Sequence, residues 1–235
     1  MSNILFSPYT INGLKIKNRF IRSATFENLS TADGMPTKKL FQTIKDLADG
    51  DVGLIISGMA YPSHDSKAMK GQLGMISRKH SDIWKETLNY VHSKHGNFFF
   101  QICHGGSRIQ KDVLRDRKPK GVSGLVQIGP KIPEILTNSE IEDIISHFIK
   151  SAHLCKDAGA DGIQLHAAHG YLLSEFLSPA FNRRSDVWGY TRKDEGNRII
   201  KVISSEIKKE IDKDFPISLK INGSDCLKGG ITPKL

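Results

Sequence analysis

Cysteine is scarce in this sequence: three residues in 235, at Cys103, Cys155 and Cys226, with no CxxC pair. A small, odd and dispersed set excludes a disulfide framework and a cysteine zinc site, and it suits a reducing compartment. Long apolar runs are missing too. The opening Met1-Ser-Asn-Ile-Leu-Phe-Ser-Pro8 has no basic start followed by an apolar stretch. The expectation is a soluble, unexported, cytoplasmic protein with no membrane partner. Also lacking is a GxGxxG fingerprint after the first strand, which an open dinucleotide-binding sheet carries. Asn28-Leu-Ser30 and Asn222-Gly-Ser224 match the glycosylation triplet, a chance match where no secretion signal stands.

Charge of one sign is in excess, with 34 Lys and Arg against 25 Asp and Glu and a net charge of +9. Such a balance raises nucleic-acid binding as a reading. The basic residues are spread along the chain, however, with only a modest concentration from Arg108 to Lys120, and no nucleic-acid motif accompanies them. They read as a solvated surface. With 38% hydrophobic and 25% charged residues, the composition fits one globular domain spanning 1–235.

What is present is a repeated pattern: an amphipathic helical stretch, a glycine near its end, then a short β-rich run buried on both faces. Lys38 to Ala48 leads through Gly50 into Val52–Ser57, and Ser81 to Lys94 leads through Gly96 into Phe98–Ile102. In the third copy Thr137-Asn-Ser-Glu140 is a capping box. There Ile141, Ile144, Ile145, Phe148 and Ile149 share a face, and Gly159 precedes the strand Gly162–His166. A fourth helix, Gly196 to Ile211, leads into Ile217–Ile221, and Arg19–Thr25 supplies an opening strand. Five strands alternating with helices predict a parallel α/β sheet, either open and doubly wound or closing as a TIM (β/α)8-type barrel.

Polar residues favour the barrel. Ser23 and Thr25, Ser57, Gln101 with His104, His166 with His169, and Lys220 with Asn222 all stand at or just past the C-terminal ends of these strands. In a barrel that edge is the mouth, where chemistry is done.

His166-Ala-Ala-His169-Gly-Tyr171 carries most information. Two imidazoles and a phenol beyond a buried strand can hold a carbonyl oxygen while charge builds on it, and protonate the neighbouring carbon. The bland alternative is a satisfied core histidine and a packing tyrosine; their clustering at one strand end weighs against it. HxxH lacks the glutamate of HExxH, and His104 brings no nearby acidic ligand, so no metal is expected.

These residues resemble the old yellow enzyme family of FMN-dependent NAD(P)H oxidoreductases. The resemblance runs through Leu5-Phe-Ser-Pro-Tyr-Thr-Ile-Asn-Gly-Leu-Lys-Ile-Lys-Asn-Arg19, Arg22-Ser-Ala-Thr25, Val52–Ile56 and Gln72-Leu-Gly74. It is strongest in His166–Leu173, Glu175-Phe-Leu-Ser-Pro179 and Asn182-Arg-Arg-Ser-Asp186. It implies FMN across the barrel mouth, reduced by NADH or NADPH and oxidised by a small-molecule acceptor such as an activated alkene or quinone. It also implies that Ser23, Ala24, Thr25 and Met59 contact the flavin, and that Gln101 bonds its pyrimidine edge. By the same resemblance Lys220 stands by flavin N1 and O2, His166 and His169 hold the acceptor oxygen, and Tyr171 donates the proton.

The sequence departs from that pattern in places. Phe26 stands where relatives carry Cys or Thr, Asn28 replaces a tyrosine, and Val187-Trp-Gly-Tyr190 and an extra Arg192-Lys-Asp194 follow Asp186. After Gly229-Gly-Ile-Thr232 the chain stops at Leu235. The expectation is therefore an incomplete barrel of about five βα units, lacking the last three strands and the loops that hold the FMN phosphate. Unpaired edges predict an oligomer or a completing chain. They also leave open a non-catalytic remnant that acts as an interaction module without flavin.

Overall fold

A computed structural model describes residues 3–124, 131–190 and 196–233. The Arg192–Asp194 segment and Leu235 lie outside the described residues. In chain order the elements are β1 (Tyr9–Ile11), β2 (Leu14–Ile16), β3 (Ile21–Arg22), α1 (Lys38–Asp49), β4 (Leu54–Tyr61), β5 (Leu73–Gly74), α2 (Arg78–Asp82) and α3 (Lys85–Ser93). There follow β6 (Asn97–Ile102), α4 (Lys111–Leu114), β7 (Lys120–Gly121), β8 (Glu134–Ile135), α5 (Asn138–Asp157), β9 (Gly162–Ala167), α6 (Leu172–Leu177), α7 (Arg198–Glu210) and β10 (Ile217–Ile221).

The main sheet is ordered β10-β9-β6-β4-β3 and is parallel throughout, with the short β5 pairing β4. Each long strand lies beside its predecessor in the chain. A doubly wound sheet reverses direction partway; this one never does, which is the winding of a (β/α) barrel. The sheet is the curled first part of such a barrel.

Alternating side chains divide the apolar residues into two cores. Ile55, Phe98, Phe100, Ile102, Ile163, Leu165 and Ala167 face outward onto helices α1, α3, α5 and α7. Leu54, Ile56 and Phe99 face inward, where they pack on Ile16 and Leu14 of the β1–β2 hairpin and on Ala24. The hairpin thus plugs the end of the barrel opposite the mouth. Its Asn12-Gly13 turn, with φ of 46° and 83°, is the pairing that favours a two-residue hairpin loop.

The capping box at Thr137 is present, with Glu140 Oε2 accepting from Thr137 N at 2.8 Å. Gly159 adopts φ 97°, as a helix-terminating glycine does. The two earlier turns differ. The left-handed residue is Asp51 (φ 62°) after Gly50, and His95 (φ 56°) before Gly96. The helix expected over 81–94 breaks at Ile83-Trp84 into α2 and α3. The opening strand shortens to Ile21–Arg22; at its start the Asn18 side chain donates to Asp51 O and accepts from Phe20 N.

Candidate active site

Strand register builds the floor of the mouth. Met59 pairs with Gln101, Gln101 with Gln164, and His166 with Lys220. Met59 reaches this row through a register shift between Ile56 and Met59, a β-bulge that changes which face a side chain occupies. Ser57 secures the bulge: its Oγ accepts from Gln101 N at 3.1 Å and donates to Gly58 O at 2.8 Å. Gly58 is required there. A Cβ at that position would stand 2.6 Å from Thr25 O and strike the Glu27 carboxylate. Glu27 in turn pairs with Arg22 at 2.6 Å, and Arg22 donates to Ile56 O at 2.7 Å.

Gln101 Nε2 donates to Gln164 Oε1 at 2.7 Å. Gln101 Oε1 and Gln164 Nε2 make no hydrogen bond among the described residues, leaving one acceptor and one donor free on neighbouring strands. At the edge of the sheet, Lys220 Nζ donates to Ala24 O at 3.3 Å. That contact joins the last strand to the segment after the first. Ser23, Ala24, Thr25, Met59, Gln101 and Lys220 are therefore gathered at one end of the barrel.

His166 lies between the other two predicted residues. Its ring centroid is 5.1 Å from that of His169 and 5.0 Å from that of Tyr171, both edge-on. Burial, then His169, then Lys220 bring the His166 pKa down to about 3. His169 is lowered by burial, Lys220 and Arg108. Both imidazoles are neutral near pH 7. Because His166 Nδ1 accepts from Ala168 N at 3.3 Å, its proton sits on Nε2. Burial, then Cys103, push Tyr171 up to about 12, with Arg108 opposing, so the phenol keeps its proton.

Backbone geometry holds the cluster. His169 has φ 61° and Gly170 φ 75°, and His169 N donates to Asn222 Oδ1 at 2.8 Å. The Arg108 guanidinium packs so closely on Gly170 that an added Cβ would strike it.

Three supporting residues had no clear sequence signal as such. Gln164 completes the amide pair, Arg108 braces the histidine loop, and Glu175 fixes the loop after β6. Glu175 is buried and accepts from Ser107 N at 2.8 Å, Ser107 Oγ at 3.2 Å and Val122 N at 3.2 Å. Burial still raises its carboxyl to about 7. Of the two departures near the Ser23–Thr25 segment, Phe26 is exposed and Asn28 has φ 56°, its side chain against Gly71. His104 is buried, its Nδ1 accepting from Gly106 N, and stands outside the His166 cluster.

The profile of the NADH:flavin oxidoreductase / NADH oxidase family matches residues 4–233. The chain belongs to this family. It is 34% identical over 233 residues to an NADH oxidase from Thermoanaerobacter brockii, covering 97% of this chain and 35% of that protein. It is 31% identical over 237 residues to an NADPH dehydrogenase from Geobacillus sp. (strain WCH70), covering 100% and 67%. A solved 2-naphthoyl-CoA reductase in complex with 2-naphthoyl-CoA superimposes with a TM-score of 0.92 at 25% identity, covering 100% of this chain and 37% of that one. The chain thus spans between about a third and two thirds of the length of the curated relatives it matches.

The residues fit the family's flavin. The free acceptor and donor of the Gln101–Gln164 pair complement the amide-like edge of a heterocycle. Lys220, half-buried and without a carboxylate within ion-pair distance among the described residues, calls for an anionic neighbour.

Proposed function

We propose that this chain forms the flavin- and acceptor-binding face of an FMN-dependent oxidoreductase. Its reductant is NADPH or NADH, and its acceptor is a small molecule such as an activated alkene or quinone. The observation that carries this reading is the convergence at one sheet end of the Gln101–Gln164 pair, Lys220 and the His166–His169–Tyr171 cluster. The names of the relatives, NADH oxidase and NADPH dehydrogenase, support a nicotinamide as the reductant. Two of the three free cysteines are buried, in keeping with a reducing cytoplasm.

FMN bound here would supply the hydride chemistry. Ser23, Ala24 and Thr25 offer it a backbone platform, Met59 a backbone contact, and Gln101 its pyrimidine-edge hydrogen bonds. Lys220 balances negative charge on the ring. His166 and His169, both neutral, donate N–H groups to the acceptor's carbonyl oxygen and strengthen their hold as that oxygen gains charge. Tyr171 gives its proton to the acceptor carbon.

The test is the visible spectrum of the purified chain after incubation with FMN and desalting, then anaerobic addition of NADPH or NADH. Retained flavin absorbance that bleaches with a nicotinamide is the expected result. No retained flavin and no spectral shift would sink the reading for this chain.

A second reading has its own observation. Leu219 and Ile221 on edge strand β10 are 47% and 60% exposed, and Phe20 and Ile21 beside the opposite edge 41% and 49%. Open apolar edges favour a completing chain or a second copy, so failure to bind FMN together with stable self-association supports an interaction module instead.

A further inference from the structure

The loops that follow β3, β4 and β6 meet at the rim of the mouth and enclose a cavity of about 510 Å³. Lys67 and Lys70 from the second loop and Arg115 and Arg117 from the third line it, with His64 and, as the one carboxylate among the described lining residues, Asp112. Lys70 is engaged by Asp112 at 3.0 Å. The other three cations have no carboxylate within ion-pair distance among the described residues. Lys67 donates to Ala32 O at 2.7 Å and lies over the Tyr61 ring at 5.5 Å.

The arginine turn is a built feature. Lys131 Nζ donates to the carbonyls of Arg115 and Arg117 at 3.1 and 3.2 Å. Arg115 is held at φ 54° and ψ −116°, a conformation that side-chain-bearing residues rarely adopt. Burial lowers the Lys67 pKa, with Asp33 acting against it. Four cationic side chains gathered around one cavity, with a single carboxylate among the described lining residues, repel each other, and a polyanion relieves that repulsion.

We propose that this cavity binds the phosphorylated adenosine end of a nucleotide-bearing substrate. The volume exceeds what a bare phosphate needs and lies within the range of organic-ligand sites. The charge matches several phosphate oxygens rather than one carboxylate. The place, on loops that follow the C-terminal ends of β3, β4 and β6, is on the mouth side of the sheet, so a long nucleotide handle would rest outside while its reactive end enters the mouth. Two sources share this chemistry: the 2′-phosphorylated reductant NADPH, and a coenzyme A thioester as acceptor, the ligand class of the superimposed 2-naphthoyl-CoA complex. The role of the handle rests on the oxidoreductase reading above; the binding of the phosphates does not.

The test is calorimetric titration of the 235-residue chain with adenosine 2′,5′-bisphosphate, adenosine 3′,5′-bisphosphate and FMN in separate runs. At least one bisphosphate is expected to bind with submillimolar Kd. Lys67→Gln or Arg117→Gln should weaken it about tenfold, while Lys67→Arg retains it. Raising salt from 50 to 200 mM should weaken it similarly, which checks the charge dependence without any variant. Tighter binding of the 2′,5′ isomer assigns the cavity to NADPH; tighter binding of the 3′,5′ isomer assigns it to a coenzyme A thioester. Absent binding, binding indifferent to both glutamine variants and to salt, or a tighter grip on a single-stranded oligonucleotide would overturn the proposal. Bisphosphate binding without FMN binding refutes the flavin reading and leaves the cavity standing; the reverse result refutes the cavity alone.

Discussion

His166→Gln tests the claim that the central imidazole is neutral because it is buried. His166 is 3% exposed and its pKa is down to about 3, against about 6.5 in an unfolded chain. A lowered folded pKa means that the stabilisation is present above pH 6.5 and drains away as pH falls toward 3. Between pH 7.5 and 4.5 the unfolded imidazole takes up its proton almost fully and the folded one hardly at all. That difference removes roughly 2.5 kcal/mol of stability. His104, at about 4 for reasons of burial, acts with the same sign but remains in both proteins, so it cancels in the comparison. Urea unfolding at the two pH values measures the effect: the parent's loss on acidification should exceed that of His166→Gln by about 2.5 kcal/mol. Proton NMR gives a direct companion, with the His166 ring signal unmoved between pH 8 and 5. A stability difference under about 1 kcal/mol, or a ring titrating near its ordinary midpoint, would refute the argument.

Glu175 predicts the opposite slope. Its carboxyl is raised to about 7, so its stabilisation is full below the unfolded value and is lost as pH rises through 7. Glu175→Gln should remove a fall of roughly 3 kcal/mol between pH 4.5 and 8, read from urea melts. Gly58→Ala drives a Cβ against Thr25 O; a loss of about 2 kcal/mol or more in unfolding free energy is expected, with weaker FMN retention because the Thr25 segment shifts. Unchanged stability would show that the bulge yields. Lys220→Met takes away a cation that lowers both His166 and His169. Both pKa values should rise by NMR, and FMN affinity should fall about tenfold by calorimetry. FMN bound as tightly as before would remove Lys220 from the flavin site.

Much of this was legible in the sequence for a physical reason. Buried parallel strands are largely apolar runs, and their C-terminal ends are where polar residues gather, so Gln101, His166 and Lys220 stood out against Phe98–Phe100, Ile163 with Leu165, and Leu219. The α5 boundary was legible because Thr137 and Glu140 carry their cap within four residues of chain. The β1–β2 hairpin was not read from the sequence, although Asn12-Gly13 suits its turn, and its role as a plug depends on contacts with Leu54, Ile56 and Phe99, far away in sequence. Glu175 and Arg108 were invisible as functional supports for the same reason. One holds a loop 68 positions away, and the other packs on Gly170; neither partnership leaves a local pattern. The break at Ile83-Trp84 was missed because Trp84 is apolar at a helix-compatible position, yet it is buried among Phe41, Phe98 and Phe100. Packing overrode periodicity there.

In the function proposed above, the charges around the mouth give Tyr171 and the two histidines different roles. If His166 or His169 were cationic near neutral pH, each would compete with Tyr171 to protonate the acceptor. Burial acts most strongly against both charged imidazoles, Lys220 adds to it at both, and Arg108 adds to it at His169. What remains are two uncharged N–H donors and one phenol whose proton is held until a strongly basic carbon forms beside it. Arg108 lowers the barrier to ionising Tyr171 even as burial and Cys103 raise it, so a guanidinium packed on Gly170 acts on both kinds of group at once. Positive charge at the mouth thus does two things in the proposed mechanism through the same side chains: it adds to burial in keeping the imidazoles neutral, and it would favour an anionic ring and an anionic acceptor oxygen over their neutral forms. An arrangement serving only to cap a sheet end would need neither the neutral imidazole pair nor a lysine without a carboxylate partner.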